Sequence, residues 1–102
     1  MHQVVVIGAG PQGLAAAAHL LERGVEPLVL EAGDGPAAAV SEWAHVRLFS
    51  KWSEVIDGAS KRRLETTDWI EPAEGYPTWA QWISEYLAPL AETLAERVRY
   101  GV

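Results

Sequence analysis

Three glycines set the terms for the first thirty residues. Gly8-Ala9-Gly10-Pro11-Gln12-Gly13 is a G-x-G-x-x-G run. It follows the β-branched stretch Val4-Val5-Val6-Ile7 and opens the alanine-rich stretch Leu14 to Arg23. Each glycine meets a separate demand: Gly8 permits a tight exit from a strand, Gly10 lets a ligand approach the backbone, and Gly13 lets a helix lie close to the sheet. Val4–Ile7 is expected to be a parallel strand buried on both faces. Ala15, Ala16, Ala17, Ala18, Leu20 and Leu21 favour a helix, and Gly24 stands where a left-handed residue ends one. Ala17 keeps the face beneath Gly13 small. Leu28-Val29-Leu30 supplies a second strand, and Glu31 stands at its carboxyl end.

Strand, glycine turn, helix, strand and acidic residue together point to an adenine dinucleotide. Free N–H groups and the positive end of the helix dipole suit a diphosphate, and a carboxylate about twenty residues on suits a ribose diol. An ionised Glu31 would repel a 2′-phosphate, which disfavours NADP in this site and leaves FAD and NAD both open. The competing reading is a glycine-rich turn that holds no nucleotide. Gly8, Gly10, Pro11, Gln12 and Gly13 are the candidate diphosphate residues, with Glu31 and the neighbouring Ala32 on the adenosine side.

The chain has 102 residues, 49% hydrophobic and 22% charged, which suits a folded soluble domain but falls short of a complete doubly wound sheet. A formal charge of -6 excludes a nucleic-acid backbone as the expected partner. With no cysteine there is no disulfide or thiolate chemistry, which fits a cytoplasmic location, and no stretch is apolar enough for a membrane span. The apolar start has no Lys or Arg before it, unlike a signal peptide. His2, His19 and His45 share no metal-ligand spacing, and no serine sits in a G-x-S-x-G elbow. No catalytic side chain and no metal site are therefore assigned.

Beyond Glu31, Ala32 to Pro36 is a turn cluster, and Ala37 to Val40 begins an irregular segment or a helical turn. Trp43 to Trp52 packs aromatics, His45 and Arg47 into ten positions. Val46, Leu48 and Ser50 would face one way from an extended segment, with His45, Arg47 and Phe49 the other. The aromatics are expected in the core with Arg47 solvated or paired; the alternative places Arg47 at a diphosphate or flavin edge. Ser53 to Trp69 reads as a loop and a short helix capped by Asp57, with Lys61-Arg62-Arg63 as a solvated basic face. Glu71 to Pro77 is a loop, and Thr78 with Gln81 forms a capping box. Trp79, Trp82, Ile83, Tyr86, Leu87, Leu90 and Leu94 recur at helical spacing, interrupted by Pro89, and Arg97 to Tyr100 begins a strand.

The fingerprint ending in Glu31, the run from Trp43 through His45-Val46-Arg47-Leu48-Phe49-Ser50 to Trp52, and Pro77-Thr78 before a helix resemble the N-terminal part of FAD-dependent NAD(P)H oxidoreductases. The pattern is similar to flavin monooxygenase-like and thioredoxin reductase-like flavoproteins. Lys51 and Gly58 depart from it at positions where proline is expected. The resemblance implies FAD on Gly8, Gly10, Pro11, Gln12, Gly13, Glu31 and Ala32, Arg47 near the flavin, and NADPH or NADH as co-substrate at a site outside these residues. It implies an α/β fold: a Rossmann-like βαβ dinucleotide-binding unit over 1–33 and a loop and mainly helical extension over 34–102. Together these make one incomplete FAD/NAD(P)-binding domain over 1–102. The expected function is the FAD-binding segment of a monooxygenase-like enzyme that passes hydride from NAD(P)H through flavin to oxygen or another acceptor. The alternatives are a non-catalytic nucleotide-binding or interaction module and an NAD-dependent dehydrogenase fragment. Five tryptophans in so short a chain also lead us to expect self-association, or docking on the remainder of a flavoprotein.

Overall fold

The computed structural model describes residues 4–33, 35 and 46–102. Expectations that fall on His2, Asp34, Pro36, Ala37 to Val40, Trp43, Ala44 and His45 lie outside the described residues. β1 (Val4–Ile7) runs through the glycine turn into α1 (Pro11–Glu22), which returns to β2 (Pro27–Glu31). After the gap come α2 (Trp52–Val55), α3 (Gly58–Leu64), α4 (Trp79–Trp82), a π-helical turn over Ile83–Leu87, α5 (Ala88–Thr93), a 3₁₀ turn over Ala95–Arg97, and β3 (Val98–Tyr100). The three strands form one parallel sheet in the order β1-β2-β3, with Val6 opposite Val29 and Val29 opposite Val98. This is an α/β fold built on the βαβ unit that the glycine run demands.

The helices lie against one face of that sheet. Val29 and Val98 are buried there with Leu14, Ala17, Leu64, Tyr86, Leu87, Leu90 and Leu94, and Val6 packs at the edge of the same core. The opposite face carries Val5, Ile7, Leu28 and Leu30, and here the expectation for β1 fails. Val5 is 54% exposed and Ile7 78%. A parallel strand is apolar throughout because both faces are ordinarily covered. β1 has the sequence of such a strand, but among the described residues nothing packs on its second face or pairs with its outer edge.

α1 starts three residues before the alanine stretch, because Pro11 has the fixed φ that a first helical position wants. It ends at Glu22, and Gly24 just past its cap has φ +74°, the left-handed conformation expected there. α2 falls in the segment expected to be a loop. Its first turn is held by the Glu54 carboxylate, which accepts the Lys51 N–H at 2.9 Å. Asp57 caps α3 as expected, accepting from the Ser60 N–H at 2.9 Å.

The basic cluster on α3 is not simply solvated; each cation has its own partner. Lys61 pairs with Glu71 at 3.1 Å, Arg62 forks onto Glu22 of α1 at 2.7 and 2.8 Å, and Arg63 binds the Thr93 hydroxyl and carbonyl on α5 at 2.8 and 2.7 Å. Three adjacent residues on a helix point in different directions, so the cluster ties α3 to two neighbouring helices. Trp52 joins the core as expected, but Phe49 is 99% exposed because the strand-like alternation turns it out with Arg47.

The Thr78 cap and its Gln81 partner form the expected box, at 3.1 and 2.8 Å. Pro89 splits the following helix in a specific way. It has no N–H for the Glu85 carbonyl, which accepts the Trp69 indole N–H at 2.7 Å instead. Just before it the Ala88 N–H reaches the Ile83 carbonyl, one residue further back than in an α-helix, so the backbone widens into a π turn.

Candidate dinucleotide site

Gly8 leaves β1 with φ +96°, and its N–H still bonds the Leu30 carbonyl of β2 at 2.6 Å. Only glycine adopts that conformation without strain. Gly13 sits one turn into α1 directly beneath the same residue: a Cβ built on it would lie 1.9 Å from the Gly8 carbonyl oxygen. A Cβ on Gly10 would meet nothing within 4 Å, so the missing side chain there leaves open space. The first and third glycines thus serve the fold, and the second serves whatever approaches the loop.

The N-terminus of α1 carries no side-chain cap and no acidic residue in its first turn. The first intrahelical bond runs from the Leu14 N–H to the Gly10 carbonyl at 3.0 Å. Among the described residues the Gln12 and Gly13 N–H groups are therefore left unclaimed at the positive end of the helix. Beside them is a cleft of about 540 Å³ lined by Ile7, Gly8, Gly10, Pro11, Gln12 and Gly13. Trp79 and Trp82 of α4 also line it.

Glu31 flanks the loop on the β2 side. Its two carboxylate oxygens accept the Ala9 and Gly33 N–H groups, each at 2.7 Å. These bonds, Ala9 first, hold its carboxyl below the ordinary value of 4.5. The residue expected on the ribose thus also staples the middle of the glycine run to the end of β2. An ionised carboxylate offers about four lone-pair directions. Two backbone donors leave room for hydroxyl donors. Ala32 is exposed beside it.

The expected site residues do not all converge. Gly8, Gly10, Pro11, Gln12 and Gly13 surround the cleft, with Glu31 and Ala32 at its flank. Arg47 does not line the cleft itself: it bridges Thr78, the residue before Trp79, in an isolated antiparallel pair, is exposed, and donates to the Tyr76 carbonyl through Nη1. Helical spacing alone makes Trp79 and Trp82 part of one apolar helix face. Trp79 is half-buried at the first position of α4, and its place at the cleft depends on packing that periodicity does not carry.

The fit of the loop to a diphosphate is matched by family. A model of FAD dependent oxidoreductases matches residues 3–100. The chain belongs to this FAD-dependent oxidoreductase family. Among its relatives, the chain is 56% identical over 99 residues to indole-3-pyruvate monooxygenase YUCCA1 of Oryza sativa subsp. japonica, covering 95% of this chain and 22% of that protein. It is also similar in structure to the bacillithiol disulfide reductase Bdr (YpdA) from Bacillus cereus, with a TM-score of 0.75, 28% identity, and coverage of 98% of this chain and 28% of the other. An oxidized steroid monooxygenase bound to NADP superposes with a TM-score of 0.73 at 25% identity, covering 98% of this chain and 19% of the other. The chain thus spans less than a third of the length of each of these three proteins. The cofactor of the family is FAD, and the uncapped α1 terminus, the open space at Gly10 and the flanking carboxylate are what its diphosphate and ribose require. Among the described residues no group of acids and histidines is arranged to hold a metal, and no helix is long and apolar enough to cross a membrane.

Proposed function

We propose that residues 1–102 are the FAD-binding segment of a monooxygenase-like flavoprotein that draws its reducing equivalents from NADPH or NADH. The observation that carries the reading is the pairing of two unclaimed N–H groups at the start of α1 with a carboxylate locked across the sheet at Glu31. Residues 1–33 are the βαβ unit that takes the adenosine diphosphate. Residues 34–102 are the extension that completes the wall of the cleft. Gly10, Gln12 and Gly13 would hold the diphosphate, Glu31 with Ala32 the ribose, and Arg47 is the remaining contact assigned from resemblance. When bound, the flavin supplies the hydride and oxygen chemistry, and the protein binds and orients it. Resemblance to an NADP-bound steroid monooxygenase and to YUCCA1 supports the choice of monooxygenase chemistry.

A second element of the reading concerns partners. Val5 and Ile7 are exposed and Leu28 and Leu30 half-buried on one apolar sheet face, which supports self-association or packing against further flavoprotein sequence. The absence of cysteine supports a reducing, cytoplasmic setting. The test of function is ligand binding by equilibrium dialysis. FAD and ADP should both bind, and ADP should compete with FAD. Retention of NAD with no affinity for FAD would instead favour a dehydrogenase fragment.

A further inference from the structure

Glu31 is not among the residues that line the cleft. It lies on the β2 side of the glycine loop, held there by the Ala9 and Gly33 N–H groups. A dinucleotide whose ribose meets Glu31 and whose diphosphate meets the N-terminus of α1 must send its other half past Gly10. The space on that side is walled by two indoles. Trp79 and Trp82 stand with ring centroids 5.4 Å apart and planes tilted by 58°, and Trp82 stacks in turn on the buried Tyr86 at 6.4 Å.

Trp82 is fixed: it is 9% exposed and its indole N–H donates to the Val55 carbonyl at 3.2 Å. Trp79 is half-buried, its backbone N–H tied to the Val46 carbonyl at 2.9 Å. The pair is thus an apolar wall facing a cleft of about 540 Å³, within the range of about 300 to 1,000 Å³ that small-molecule sites occupy. Such a wall does nothing for a diphosphate, whose oxygens want N–H donors. It suits a flat aromatic ring system, which stacks on or abuts an indole at small entropic cost.

We propose that Trp79 and Trp82 form the platform for the planar heterocycle on the non-adenosine half of the bound dinucleotide, and so separate ligands that carry a large ring there from those that end at the diphosphate. This rests on the dinucleotide reading of the glycine loop. It gives that half of the ligand a wall on α4 in addition to the Arg47 contact.

The test uses the full 102-residue chain and two probes, FAD and ADP, with affinities measured by equilibrium dialysis. Trp79→Ala should weaken FAD by about tenfold or more while leaving ADP within about twofold of wild type. Trp79→Phe should restore most of the FAD affinity, because an aromatic face is retained. The thermal midpoint of each variant shows whether it is folded, and Trp82→Phe serves as a second variant that keeps the core filled. Unchanged FAD affinity in folded Trp79→Ala overturns the platform but leaves the glycine-loop reading intact. Wild-type protein that binds neither FAD nor ADP overturns the loop reading, and the platform with it.

Discussion

At the scale of single residues, the three glycines of the loop separate into two kinds. Gly13→Ala would bring a methyl group to 1.9 Å from the Gly8 carbonyl oxygen, so α1 must move off β1. The expected cost is about 2 kcal/mol or more of stability, read from chemical denaturation. Gly10→Ala meets open space at an ordinary φ of −81°, so it should unfold like wild type and lose only ligand affinity. Glu31 makes a pH prediction. Its folded pKa is depressed by the Ala9 and Gly33 N–H groups below the ordinary 4.5. The bonded carboxylate therefore stabilises the fold fully above that value, and the contribution fades as the pH falls through the folded pKa. Glu31→Gln sets an amide donor against one of two backbone donors. The stability gap between wild type and variant should be constant near neutrality and should narrow in acid; a gap independent of pH down to unfolding would contradict the staple. The glycine spacing and Glu31 were legible in the sequence because backbone freedom and terminal charge are local properties. The pair of hydrogen bonds from Ala9 and Gly33 was not, because their donors are main-chain groups that every residue possesses.

Among the elements, caps govern what can be read. Asp57 and Thr78 announced α3 and α4 because Asp and Thr accept backbone N–H groups within three residues of themselves. α2 was hidden because Lys51 is not a capping residue and the Glu54 carboxylate does the work from inside the turn. Asp57 does more than cap. Burial pushes its carboxyl up, but His19 at 2.8 Å and the Ser60 N–H and hydroxyl outweigh that and leave it below its ordinary value. Its own N–H reaches the hydroxyl of the buried Tyr86 at 3.1 Å, so one residue joins α1, α3 and the π turn. Asp57→Ala should cost about 1–2 kcal/mol, measured as a shift in denaturation midpoint. Pro89 signalled a break, but not its form, which depends on Trp69 arriving from sixteen residues away to take the Glu85 carbonyl. Trp69→Phe keeps the ring and loses that donor, with an expected loss of about 1 kcal/mol.

For the molecule as a whole, the parallel sheet is covered on one face only. The hydrophobic run of β1 correctly predicted a strand and wrongly predicted two buried faces, because burial depends on neighbours that a strand's own residues cannot report. Leu28 and Leu30 beside the exposed Val5 and Ile7 extend the apolar surface across two strands. On the proposal that this face seeks a cover, Val5→Lys should reduce the apparent mass of concentrated protein in sedimentation velocity while leaving ADP affinity unchanged. The helices on the other face bring Trp79 and Trp82 to the glycine loop, so the same packing that completes the core also shapes the cleft. The decisive experiment is an FAD titration of the wild-type chain beside Gly10→Leu, with thermal unfolding of both as the control. Filling the open space at Gly10 should abolish measurable FAD binding while the unfolding midpoints stay together. Equal FAD affinity in two equally folded proteins would show that the backbone at the mouth of α1 is not where the cofactor is gripped.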